Sequence, residues 1–243
     1  MSVYITLYWR SPVTVRPEEK VSFYTHFAGI LLAAVGTVVL VMSALESTSL
    51  LFVSIVYGLC AIFLFSASSL YHAFKKQENE VSFWRKMDHL AIFFMIAGTY
   101  TPVCYAYLEG GWFWSIMGVQ WGLVLAGLFL KLFYMNAPRA LTAGVYLMMG
   151  WVAVVPAHKL VGAMPGDALA WLALGGAAYT TGAIIYAIKR PRLVPGVFGF
   201  HELFHVFILL GGFFHYMLVY TAVTVGSPAM VRVQAALIQL PVR

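Results

Sequence analysis

The chain has 243 residues, of which 62% are hydrophobic and only 10% are charged. Its mean hydropathy is +0.85. A soluble domain of this length needs far more charge on its surface, so these values exclude a soluble protein and indicate an integral membrane protein. The net charge of +6 does not require nucleic acid as a partner, because basic residues gathered on one side of a membrane explain it.

Seven apolar stretches of the sequence are long enough to cross a bilayer. A helix needs roughly 20 apolar residues to span about 30 Å of hydrocarbon. The sequence therefore predicts an all-α membrane bundle of seven transmembrane helices, which forms one domain over residues 1–243. The predicted spans cover residues about 21–45, 49–74, 87–107, 113–133, 139–161, 168–188 and 198–224.

The first span begins with a helix start signal. Pro17 lacks the backbone donor that a first helical turn does not use, and the carboxylates of Glu18 and Glu19 complement the positive end of the helix dipole. The segment before it carries charged residues such as Arg10 and Arg16, so it does not read as a cleavable signal sequence. The first span is therefore expected to target the chain to the membrane.

Lysine and arginine are distributed unevenly between the two ends of the spans. Twelve of the 15 lie in the N-terminal segment and in the loops after spans two, four and six, and the others are Lys159, Arg232 and Arg243. Cytoplasmic loops are enriched in these residues. The sequence thus predicts a multi-pass protein of the cell (inner) membrane with a cytoplasmic N-terminus and an external C-terminus.

Five polar residues are predicted to share one depth near the cytoplasmic face. Ser68 and His72 lie on one face at the end of the second span, four residues apart. Asp88 lies in the first turn of the third span. His201 and His205 occupy the first two turns of the seventh span and point the same way. The predicted topology therefore brings all five into one layer of the bundle.

This layer has the chemistry of an open metal site. Two histidines four residues apart on a helix can give two nitrogens to one metal, and His72 would supply a third. Zinc held in this way activates a bound water molecule. Asp88 is the nearest carboxylate that could orient this water or accept its proton. Ser68 could donate a hydrogen bond to the oxyanion of an attacked carbonyl.

Simpler readings of the same residues stand beside the metal site. Intramembrane histidines often make hydrogen bonds between helices, and the His-x-x-x-His spacing alone is a weak motif. Asp88 could instead cap the start of its helix. Iron, cobalt or nickel could also occupy a site of three histidines. Ionisable groups inside membrane helices are nevertheless rare and usually functional, which favours a site.

Several motifs together resemble the hemolysin III family. These are Ser68-x-x-x-His72, Met87-Asp88-His89, Ala97-Gly98-Thr99-Tyr100-Thr101-Pro102, His201-Glu202-Leu203-Phe204-His205 and Thr25-His26. That family is the bacterial branch of the progestin and adipoQ receptor proteins, which include the adiponectin receptors and are grouped with the alkaline ceramidases. The resemblance extends from about residue 18 to about residue 224.

The resemblance implies a seven-helix bundle with zinc near its cytoplasmic face. The histidines matching His72, His201 and His205 would hold the zinc, the aspartate matching Asp88 would contact the zinc-bound water, and the serine matching Ser68 would lie beside it. For the wider superfamily it implies hydrolysis of lipid amides such as ceramide. For the bacterial branch it implies a cytolytic effect or a role in membrane lipid homeostasis.

Other polar residues near this layer have supporting roles at most. His26, near the start of the first span, is a possible partner of a metal ligand. Glu202 follows His201 directly and is rotated by about 100° around the helix, so it is expected to face a neighbouring helix. His89 is expected to turn away from Asp88, and His215, about 15 Å further along its helix, is expected to bond a neighbouring helix.

Three hypotheses of function follow. The first is an intramembrane zinc-dependent hydrolase that acts on an acyl amide or ester of a membrane lipid. The second is a non-enzymatic receptor or sensor in which the metal is structural. The third, a cytolytic pore, rests on the family name, since the sequence shows no ring of charge along a path across the membrane.

Overall fold

The computed structural model of the protein describes residues 15–77, 80–133, 138–194 and 197–225. Of the basic residues used to orient the chain, Arg10, Arg232 and Arg243 lie outside these ranges. The helices are α1 (Lys20–Ser43), α2 (Thr48–Phe74), α3 (Phe83–Tyr107), α4 (Gly110–Phe133), α5 (Arg139–Gly150), α6 (Ala157–Ala163), α7 (Gly166–Ile188) and α8 (Phe200–Val225). Two short 3-10 turns, Pro17–Glu19 and Trp151–Val154, precede α1 and follow α5.

Six of these helices are long and apolar enough to cross a membrane, and the bent pair α5 and α6 makes a seventh crossing if it counts as one span. The predicted all-α membrane bundle is therefore confirmed. The direction in which the chain crosses the membrane stays a prediction.

Serines define where two spans begin: Ser47 accepts a hydrogen bond from the Leu50 amide, and Ser82 accepts one from the Arg85 amide. The second of these caps starts α3 at Phe83, four residues before the predicted start of the third span.

The fifth predicted span is broken in the structure, not continuous. The chain bends by 57° between residues 140–154 and 157–163. Pro156 lies at the bend, where its ring prevents a regular helix from continuing. The Tyr100 hydroxyl on α3 donates a hydrogen bond to the Gly150 carbonyl and accepts one from the Ala153 amide, both at 2.7 Å. Tyr100 thereby pairs two backbone groups that the break releases from helical bonding.

Neighbouring helices pack in chain order from α1 to α4, and α7 packs against α8. Helix α8 also contacts α1, α2 and α3, so the start of α8 lies beside the end of α2. The central apolar core comes mainly from α2, α3 and α8, with buried residues that include Leu64, Ala91 and Leu218. This arrangement places the ends of α2 and α8 that carry histidine next to each other. We call this end of the bundle the histidine end.

Gly98 allows α3 to approach α2 closely. A Cβ atom at this position would lie 2.7 Å from both Cβ and Sγ of Cys60 on α2. Such a distance is well inside van der Waals contact, so a larger residue here forces the two helices apart.

We expect Gly98→Ala to destabilise the protein by about 1–3 kcal/mol, because it overpacks the interface between α2 and α3. Gly118→Ala on α4 is the matched control, since a Cβ there meets no atom within 4 Å. Thermal unfolding in detergent measures the difference. Equal melting temperatures for the two variants would contradict this account of the interface.

We also expect Tyr100→Phe to destabilise the bend after α5 by about 1–3 kcal/mol, because the Ala153 amide loses its acceptor and the Gly150 carbonyl loses a donor. Tyr105→Phe, at a side of α3 where the residue is 41% exposed, is the control. Hydrogen exchange of the segment 150–157 reports the effect locally. The same protection in both variants would mean that the Tyr100 hydroxyl does not hold the bend.

Candidate metal centre

Three histidines converge at the histidine end. His72 lies in the last turn of α2, and His201 and His205 lie one turn apart at the start of α8. One ring nitrogen from each lies within 4.8 Å of the other two. The Nε2 atoms of His72 and His201 are 3.3 Å apart. The structure therefore brings together the three residues predicted as metal ligands, although 129 residues separate His72 from His201.

The 3.3 Å between His72 Nε2 and His201 Nε2 is the spacing of two ligands on one tetrahedral metal ion. Two ligands bound at 2.0–2.1 Å with a tetrahedral angle between them lie about 3.3 Å apart. His72 and His205 are almost completely buried, and the His205 Nδ1 atom has no hydrogen-bond partner in the part of the chain that the structure describes. Neutral imidazoles gathered at this distance are the donor set that zinc prefers. The residues present thus fit a metal ion.

Glu19 contacts this cluster and was missed in the sequence reasoning, which used it only as a helix start. Its Oε2 atom lies 2.7 Å from His72 Nδ1, and its Oε1 atom lies 2.5 Å from Lys75 Nζ. The sequence does contain a signal for this contact. Glu19 starts a span at the same predicted membrane face as the end of the span that carries His72, so both could share one layer.

Asp88 and Ser68 lie next to the histidines on the wall of an internal cavity. Ser68 is buried, and its hydroxyl lies close enough to the Asp88 carboxylate to interact with it. Asp88 is close enough to His72 for the two side chains to interact electrostatically. Asp88 stays partly accessible because it faces the cavity and not the packed core. A serine hydroxyl in this position can donate a hydrogen bond to the carboxylate and orient it.

His26 lies against one of the three histidines. Its ring stacks on that of His205, with centroids 3.8 Å apart and an angle of 14° between the planes. The ring of His26 also makes an edge-to-face contact with Phe65, with centroids 5.3 Å apart. Both ring nitrogens of His26 are buried without a hydrogen-bond partner among the described residues. His26 therefore contacts a candidate ligand directly, and its predicted supporting role stays a prediction.

Glu202 faces α1. Its Oε2 atom accepts a hydrogen bond from the Gly199 amide at 2.8 Å, which caps the start of α8. Its Oε1 atom accepts a hydrogen bond from the Ser22 hydroxyl at 3.2 Å. Glu202 thus fixes the first turn of α8 against α1 and orients the helix that carries His201 and His205. Its place near the metal as a supporting group stays a prediction.

His89 and His215 have different surroundings. His89 was expected to turn away from Asp88, but it lines the same cavity and contacts the Tyr146 hydroxyl, because the cavity wall continues from α3 to α5. His215 packs against α7 at Gly175, and its ring lies 5.2 Å from that of Tyr179. Its Nε2 atom has no hydrogen-bond partner among the described residues, so the expected bond from His215 to a neighbouring helix stays a prediction.

The cavity has a volume of about 770 Å³ and follows α3 from Asp88 to Leu108, which is most of the length of that helix. Its histidine end is polar, with Ser68, Asp88, His201 and His205 on the wall. The rest of the wall is mainly apolar and includes residues from α5, α6, α7 and α8. A long apolar cavity with a few polar groups at one end suits a molecule with an apolar chain and one polar group.

Comparison with known proteins agrees with this geometry. A family profile described as "Haemolysin-III related" matches residues 15–216. The chain is 30% identical to the Hemolysin-3 homolog of Bacillus subtilis over 80% of this chain and 89% of that protein. It is 29% identical to Hemolysin-3 of Bacillus cereus, over 80% of this chain and 86% of that protein.

More distant similarity reaches eukaryotic proteins. The adiponectin receptor protein of Drosophila melanogaster is 27% identical, over 82% of this chain and 49% of that protein. The matched residues 15–216 include the histidines of α2 and α8 and the polar residues around them. The chain is a multi-pass protein of the cell (inner) membrane and belongs to the hemolysin III family, to which the progestin and adipoQ receptor proteins are related.

Proposed function

We propose that the protein is an intramembrane zinc-dependent hydrolase that cleaves an acyl amide or ester of a membrane lipid and contributes to membrane lipid homeostasis. One observation carries the proposal: three histidines close enough to share a metal, two of which line the cavity, lie beside Asp88 and Ser68 at its polar end. The apolar wall would hold the acyl chain. The carbonyl at the head of that chain would then lie near the histidines.

Each polar residue has a role in this reaction. His72, His201 and His205 hold the zinc, which when bound supplies a Lewis acid that activates water. Asp88 accepts the proton of the attacking water, since it is the carboxylate on the cavity wall beside the histidines. Ser68 has one hydroxyl hydrogen to donate, so it can orient Asp88 or hold the substrate's carbonyl oxygen, but not both at once.

The number of ligands favours catalysis over a purely structural role. Structural zinc sites are almost always closed by four protein ligands, whereas catalytic sites have three and leave one position open. The metal-binding cluster found among the described residues has three members, all histidines. A structural metal in a receptor or sensor remains the second candidate, because these histidines join two helices that are distant in the sequence. The apolar cavity wall disfavours the third candidate, a cytolytic pore.

We expect the purified protein to contain about one zinc ion per chain, as a site of three histidines requires. The double variant His201→Ala, His205→Ala should lose the zinc. His158→Ala is the matched control, since His158 is exposed on α6, away from the cluster, and this variant should keep the metal. Elemental mass spectrometry measures all three. A folded native protein that takes up no zinc would refute the metal site.

We expect the zinc-loaded protein in detergent or vesicles to hydrolyse a member of a panel of long-chain acyl amides and esters. Asp88→Asn should keep the zinc but lower kcat by about 10²–10⁴-fold, the usual contribution of a general base. Release of free fatty acid measures turnover. Zinc-loaded, folded protein that cleaves no member of the panel would favour the sensor. An unchanged kcat in Asp88→Asn would remove Asp88 from the reaction.

A further inference from the structure

We propose that Glu19 is a positioning residue of the metal centre. It holds His72 in the orientation and tautomer in which the Nε2 atom can bind the ion. This inference rests on the proposed metal site. Glu19 is only 6% exposed, although it precedes α1 directly and carries a charge. A carboxylate is buried in this way only when strong partners compensate for its lost hydration.

Glu19 determines which nitrogen of His72 is available. The Glu19 carboxylate can only accept a hydrogen bond from His72 Nδ1, so that nitrogen carries the ring's hydrogen in the neutral form. His72 Nε2 then carries no hydrogen and has a lone pair for a metal. This is the atom that lies 3.3 Å from His201 Nε2. The contact thus fixes the ring and leaves the correct nitrogen facing the cluster. A carboxylate in this position also makes the histidine a more basic ligand.

Lys75 holds the second oxygen of the Glu19 carboxylate. It follows His72 by three residues, so both side chains project from the same face at the end of α2. Its ammonium group lies 2.5 Å from Glu19 Oε1, while Glu19 Oε2 faces His72. The lysine offsets the charge of the carboxylate and holds it in place. Glu19 is therefore oriented before a metal binds, which reduces the cost of forming the site.

Glu19 positions a ligand and does not bind the ion itself. Each of its oxygens already faces a nitrogen donor, from Lys75 and His72. The two nitrogens of an imidazole lie on different sides of the ring, so a carboxylate bonded to Nδ1 lies away from an ion bound at Nε2. The neighbouring Glu18 differs in each respect, since it is exposed and pairs with Arg16 at the surface.

The test is the affinity of the full-length protein for zinc, measured by competition with a chromophoric chelator. Glu19→Gln keeps the shape of the side chain but removes its charge, and should raise the Kd for zinc by about 10–100-fold. Glu18→Gln, the matched control on the same turn, should leave the Kd unchanged. Lys75→Met keeps the contact between Glu19 and His72, so it should raise the Kd less than Glu19→Gln does.

The absorption spectrum of the cobalt-loaded protein separates positioning from general stability. A change in how His72 binds should alter the visible cobalt bands in Glu19→Gln, whereas a loss of stability alone would leave them unchanged. Glu19→Asp serves if Glu19→Gln does not fold, because it keeps a charge near Lys75 but withdraws it from His72. This variant should also weaken zinc binding and alter the bands.

The outcomes distinguish the two proposals. If neither the native protein nor Glu18→Gln binds zinc, the metal site itself is wrong. If both bind zinc and the Glu19 variants bind it equally tightly, with the same cobalt spectrum, the site stands and the positioning role of Glu19 is wrong.

Discussion

The contact between the end of α2 and the start of α8 is the constraint on which the site depends. Polar side chains are costly in an apolar medium unless they have partners, so histidines at these two ends are most stable where they meet. Glu202 and Ser22 fix the first turn of α8 against α1, and Glu19 fixes the end of α2 against the segment that precedes α1. The start of α1 therefore holds both histidine-bearing ends in register.

The sequence predicted the helical membrane bundle because burying a backbone in lipid leaves few choices. Every backbone polar group must be paired within the span, so a long apolar run in this composition is a helix. The helical period then placed His201 and His205 on one face before any tertiary contact was known. His72 could be added because the predicted crossings put its depth next to theirs. Depth and periodicity were sufficient to predict the grouping of the three histidines.

What the sequence could not supply depends on side-chain direction and on local geometry. Pro156 was visible, but the 57° bend also needs the tyrosine hydroxyl of α3 to pair the released backbone groups. His89 faces the cavity and contacts the Tyr146 hydroxyl of α5, a direction that depends on how α3 and α5 pack. In the sequence Glu19 looks like an ordinary helix start, and its burial and its contacts with His72 and Lys75 distinguish it from Glu18. The shared depth of Glu19 and His72 could be read from the predicted spans, but the directions of these side chains could not.

The division of the three histidines between α2 and α8 has a consequence for biogenesis. During synthesis and insertion, α2 enters the membrane early, and His201 and His205 arrive with the last helix that the structure describes. A chain that stops before α8 carries one histidine of the cluster and, through Lys75 and Glu19, the group that orients it. The cluster is therefore complete only after all the described helices have been inserted. A nascent chain with unfinished topology lacks two of the three histidines of the cluster, so the order of synthesis makes assembly of the cluster the last step of insertion.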